Sequence, residues 1–135
     1  MIDIRKAKQV LKQYVSNYDS TNDRIRVKIG HIERVAGIAK EIAKSLELEE
    51  EDIQLAELIG LLHDIGRFEQ VRRYDTFIDQ KSVNHGELGV EILFEQGLIR
   101  EFIKDTQYDE IIKKSILNHN RNQDAIQTDK KKELL

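Results

Sequence analysis

Apolar residues return at intervals of three and four along most of the chain, and they seldom alternate in twos. A period near 3.6 gathers such positions on one face of a helix, so the pattern predicts helices joined by short turns and an all-α fold. The first helix is expected over Ile2 to Tyr18, with Ala7, Val10, Leu11, Tyr14 and Val15 on its inner side and Lys6, Lys8, Lys12 and Gln13 over the rest. A turn, SNYDSTND, follows it. The second, Asp23 to Leu46, carries Ile32, Val35, Ala36, Ala39, Ile42, Ala43 and Leu46 at core spacing, opposite Glu33, Lys40, Glu41 and Lys44. The third starts in the acidic run Glu49 to Asp52, which suits the positive end of a helix dipole, and continues through Leu55, Leu58, Ile59, Leu61 and Leu62 to Gly66. Its density of Leu and Ile predicts the most buried helix.

Beyond Gly66 the periodicity fades. Arg67 to Lys81 reads as a short helix and a loop; Val83 to Gln96 is a helix stopped by Gly97; Ile99 to Lys104 is a helical turn; Tyr108 to His119 is the next helix. From Asn120 to Lys132 the chain is polar and reads as a loop, and Glu133, Leu134 and Leu135 look like the start of a further helix. The expectation is one compact bundle of about 5–7 helices filling residues 1–135. Tyr14, Tyr18 and Phe102 are expected to complete its core, with an interface as the alternative.

Composition sharpens this picture. Proline and cysteine are both absent, so helices run uninterrupted, and disulfides, thiolate metal sites and cysteine nucleophiles are excluded. A chain without cysteine also fits a reducing compartment, so the cytoplasm is expected. Lys and Arg number 22 against 25 Asp and Glu, a net charge of −3, which gives no basic field for duplex nucleic acid or an anionic membrane. The N-terminal stretch MIDIRKAKQVLKQYV alternates charge with apolar residues and lacks the apolar core of a signal peptide, and no segment is apolar for the length of a membrane span.

The chemistry is concentrated in four histidines: His31, His63, His85 and His119. His31 lines up with Val35, Ile38 and Ile42; His63 with Ala56, Ile59 and Gly60; His119 with Ile112, Ser115 and Ile116; His85 falls in the first turn of a helix. A single core histidine is ordinarily satisfied by a carbonyl or a water. Four on apolar faces need many such partners at once, whereas one divalent metal satisfies their nitrogens together. Gly30, Gly60 and Gly86 lie close to these histidines inside helices, where each costs about 1 kcal/mol relative to Ala. They read as places of close helix approach or as room beside a ligand. Gly66, after His63-Asp64-Ile65, reads as a left-handed cap that leaves His63 and Asp64 at a helix end, where neighbouring side chains can reach one ion.

The order His31, His63-Asp64 within LLHDIGRF, His85 within VNHGELG, and His119 within ILNHN resembles the HD-domain superfamily of metal-dependent phosphohydrolases over about residues 25–120. The resemblance implies a helical bundle in which His31, His63 and Asp64 bind a divalent metal, with His85 and His119 serving a second ion and Asp64 bridging the two. The family's last aspartate lies on a later helix. Only Asp124 and Asp129 follow His119, both in the polar stretch, and the expectation is that neither is that ligand and that the helix carrying it lies past Leu135.

Nitrogen and carboxylate ligands suit Mn, Fe, Co, Ni or Zn, one or two ions, and an open coordination position would acidify a water for attack on a phosphoester. Arg67 is the leading candidate for a phosphate contact, because a guanidinium can hold two phosphate oxygens; Arg72, Arg73, Lys81 and Arg121 are further candidates, with a solvated surface role as the alternative. Glu69 and Asn84 are candidates to orient a water or a ligand histidine, with surface hydrogen bonding or helix capping as the alternative. The expected substrate is a nucleotide or another small phosphoester. A mixed-valence di-iron oxygenase, known on similar HD folds, fits the same ligand series, and a non-catalytic HD module is the third alternative. The sequence leaves the substrate open, and a homodimer is one of the assemblies open to the bundle.

Overall fold

The structure, a computed structural model, describes residues 2–119. Within that range the fold is helical and no strand occurs. Helix α1 spans Ile4–Val15, α2 Asp23–Ser45, α3 Glu50–Leu62 and α4 Gly66–Tyr74. A 3-10 turn at Asp79–Lys81 leads into α5, His85–Val90, which loosens into a π turn over Glu91–Glu95. Helix α6, Ile99–Phe102, and a 3-10 turn at Thr106–Tyr108 precede α7 over residues 109–119.

Each start has a local cause. Asp3, Asn22 and Asn84 accept from the backbone N–H groups of Lys6, Arg24 and Glu87, which caps α1, α2 and α5. Helix α3 has no side-chain cap, but Glu50, Glu51 and Asp52 place negative charge at the positive end of its dipole. Gly97, at φ +82°, stops the π turn as the sequence anticipates. The first helix is shorter than expected, because Ser16 turns the chain after Val15 with its hydroxyl on the Gln13 carbonyl.

Helices α2 and α3 form the central packed pair. Gly60 sets their distance: a Cβ there would lie 2.7 Å from the Ala36 Cα. Around them Leu58, Leu61, Leu62, Ile65, Phe68, Leu93, Phe102, Ile112 and Ile116 are all buried, and α1 closes the side with Ala7, Val10 and Leu11. Helix α3 carries seven buried residues, in line with its expected depth. One of them is Glu57, paired with Lys8 at 3.3 Å. Phe102 is in the core, while Tyr14 and Tyr18 are half-buried at its edge and share a hydrogen bond of 2.7 Å.

Gly66 departs from the cap expected of it. Helix α3 ends earlier, at Leu62, and Gly66 does not cap it in a left-handed conformation; it opens α4. Glycine is required there for a different reason. A Cβ at Gly66 would fall 2.2 Å from the His85 carbonyl oxygen and 2.8 Å from the Gly89 nitrogen, so the start of α4 and the start of α5 touch backbone to backbone. That contact brings His85 to the His63-Asp64 turn. A cavity of about 670 Å³ lies between α1, α2 and α3, lined by Leu11, Val15, Ile32, Ala36, Leu61 and Phe68 among others; no histidine lines it. Among the described residues no helix is long and apolar enough to cross a membrane.

Candidate metal centre

Four elements converge on one carboxylate. His63 is the C-cap of α3, Asp64 lies in the turn before α4, His31 comes from the middle of α2, and His85 opens α5. The Nε2 atoms of His31 and His63 lie 3.4 and 3.2 Å from Asp64 Oδ2, and His85 Nε2 lies 3.3 Å from Oδ1. His119, at the end of α7, sets its ring edge-on against His63, with centroids 4.8 Å apart. Ligand atoms of His31, His63 and Asp64 all lie within 4.8 Å of one another, close enough to share an ion.

Burial makes the cluster unusual. The side chains of Asp64, His63 and His85 are 3, 5 and 1% exposed, whereas His31 is 39% exposed and forms the open side. Yet His63 Nε2, Asp64 Oδ1, His85 Nε2 and His119 Nε2 are buried with no hydrogen-bond partner. An unmet buried polar atom costs about 1–3 kcal/mol, so several at one point call for something that satisfies them together. The chemistry of the donor set says what. His63 Nδ1 lies 2.6 Å from the Gly60 carbonyl oxygen, which only accepts, so Nδ1 donates and Nε2 of the neutral ring presents a bare lone pair. A bare nitrogen and a carboxylate oxygen turned to the same point are both acceptors, and a cation is the species that satisfies both.

Burial opposes the charged form of Asp64, but contacts with His63 and His85 and the Lys28 ammonium outweigh it and hold the carboxyl below its ordinary range; with the ring nitrogens bare, Lys28 is the group that favours the charge. Lys28 Nζ donates to Asp64 Oδ2 at 3.3 Å and also lies over the Phe77 ring. Desolvation, with Lys28 beside His31 and His63 beside His119, pushes both imidazoles below their usual pKa against the pull of Asp64. Both therefore keep a free nitrogen lone pair at neutral pH.

Arg67 is largely buried, its Nη1 donating to Gln70, to the Phe77 carbonyl and to Asp79 at 2.9, 2.7 and 2.9 Å and its Nε buried without a partner among the described residues. Glu69 is held by Arg72, Arg73 and the Tyr18 hydroxyl, and Asn84 is spent on capping α5; neither meets a histidine side chain, so for these two capping and ion pairing replace the expected orienting role. Lys81 is exposed in the 3-10 turn. Arg121, Asp124 and Asp129 lie outside the described residues.

Two contributors escape the sequence reading. Lys28 sits one turn before His31 on α2, a spacing that could have revealed it. Asp79 lies in the aperiodic loop, with Oδ2 2.7 Å from His85 Nδ1. A carboxylate shortly before a helix-opening histidine is the only sequence trace it leaves.

A family model for the HD domain matches residues 29–134, and so takes in the whole histidine series. The chain belongs to the HD-domain family. No curated protein and no solved structure shows a significant match to it. HD domains typically bind divalent metals, and the buried cluster of acceptor atoms fits such an ion in both ligand type and placement.

Proposed function

We propose that this HD domain is a metal-dependent phosphohydrolase acting on a nucleotide or another small phosphoester. The observation that carries the reading is the convergence of unpartnered atoms from His63, Asp64, His85 and His119 beside His31. Those five residues would hold the ion or ions, and a bound divalent transition metal would supply Lewis acidity and an acidified water at neutral pH.

The protein's own groups divide the remaining work. Asp64 is charged at neutral pH, its carboxyl being held below its ordinary range, and acts as an acceptor that offsets the positive charge of the centre. His31, on the solvent side, marks the direction from which a phosphoester enters. Lys28 is the cation next to Asp64, and its ammonium is placed to meet a phosphate oxygen beside the centre. Arg67 is held by the 75–84 loop through Nη1 while its Nε has no partner among the described residues, so in this reading Lys28 joins Arg67 as a phosphate contact.

Hydrolysis of a chromogenic phosphoester and a panel of nucleotides with added MnCl2 tests the reading. His63→Ala and Asp64→Ala should each abolish turnover, and Lys28→Ala should lower kcat/KM by about 10²-fold, the scale of one charge-stabilising group. Full turnover in either His63→Ala or Asp64→Ala would overturn it.

A further inference from the structure

The aperiodic loop between α4 and α5 holds a carboxylate with unusually complete support. Asp79 Oδ1 accepts from Arg67 Nη1 and from Gln70 Nε2, each at 2.9 Å. Its other oxygen faces His85: the ring Nδ1 at 2.7 Å and the backbone N–H at 3.3 Å. Gln70 is fully buried and also donates to the Ser82 hydroxyl, so the platform under Asp79 is fixed from α4.

We infer that Asp79 is a positioning residue that sets the tautomer of His85 and aims its Nε2 lone pair at Asp64 and the metal centre. Arg67 and Gln70 donate to Asp79 Oδ1 and orient it, so the oxygen that faces His85 serves as an acceptor. The proton of neutral His85 therefore resides on Nδ1, which leaves Nε2 bare. That nitrogen is 3.3 Å from Asp64 Oδ1 and is buried without a partner. Both ring nitrogens face a carboxylate, but the one at Asp79 is the closer, 2.7 against 3.3 Å, so the alternative tautomer would set an acceptor nitrogen against the nearer oxygen and turn its N–H into the cluster. His63 reaches the same state through the Gly60 carbonyl, so two rings from different elements are set alike by different acceptors. The role of Nε2 as a ligand rests on the proposed metal chemistry; the tautomer itself does not.

The test uses the full 135-residue chain, histidine-labelled with 15N, metal-free and above the ordinary imidazole pKa range. Two-bond 15N–1H correlation reads the tautomer of each ring, and His85→Gln assigns the signal. In the wild type His85 should carry its proton on Nδ1. In Asp79→Ala it should lose that bias, while the His31, His63 and His119 signals keep their pattern and report an intact fold. Titration with MnCl2 should then show affinity about ten- to a hundredfold weaker in Asp79→Ala than in the wild type. A wild-type His85 protonated on Nε2 would overturn the inference without recourse to any variant, and so would an Asp79→Ala spectrum with His85 unchanged. If the tautomers behave as stated but Mn²⁺ binds neither protein, the role of Asp79 stands and the metal reading fails.

Discussion

Glu69 and Asp64 show how differently two buried carboxylates can be used. Asp64 is surrounded by imidazoles and one ammonium, whereas Glu69 is engaged by Arg72, Arg73 and Tyr18. Burial opposes its charge, but those hydrogen bonds bring Glu69 down to about 2 from 4.5. A depressed pKa gives stability that is complete above the unfolded value and is lost as pH falls through the folded one, so the window runs from about 4.5 down to about 2. Arg72 and Arg73 are exposed enough to be screened, which limits the contribution to on the order of 1 kcal/mol. Glu69→Gln should therefore be less stable than the wild type by roughly that amount in urea unfolding at pH 7, and the gap should narrow by pH 2.5. A gap independent of pH would show that the lost contact is not ionic.

At the scale of elements, the contact between the starts of α4 and α5 places His85 over the His63-Asp64 turn. A methyl at Gly66 would meet the backbone of His85 and Gly89, which cannot yield as a flexible side chain does. Gly66→Ala should destabilise the protein by about 1–3 kcal/mol or more in thermal or urea unfolding and weaken Mn²⁺ binding with it. Gly30→Ala is the contrast, since its Cβ would meet only the end of the Arg34 side chain at 3.3 Å, and it should leave metal binding unchanged. The same comparison shows what the sequence made legible. The helix faces carrying His63 and His119 follow from 3.6 periodicity, and the break at Gly97 from local backbone preference; the face expected for His31 does not hold, because Ile38, Ile42 and Leu46 are exposed and α2 buries Ile25, Ile32, Ala36 and Ala43 instead. Gly66 after an apolar run has the local signature of a cap, but its decisive neighbour is a carbonyl nineteen positions onward, which no local pattern reveals. Asp79 was missed for a related reason: a loop carboxylate shows its purpose only when the histidine it faces is seen in space.

Across the whole molecule, the centre ties together the long pair α2 and α3, the crossing of α4 and α5, and the end of α7. A ligand shared by so many elements should bind the folded chain and not the unfolded one. At a hundredfold excess over its Kd, Mn²⁺ should add about 2.7 kcal/mol, a rise of about 10 °C in Tm that a chelator reverses. No such shift is expected in Asp64→Ala. The most direct test of the central claim is the metal content of the full chain, by elemental analysis of protein purified without chelating resin, beside Asp64→Ala prepared in the same way. The account predicts one or two equivalents of a divalent transition metal in the wild type and far less in the variant. A wild-type protein free of metal, or a variant that retains as much, would contradict it.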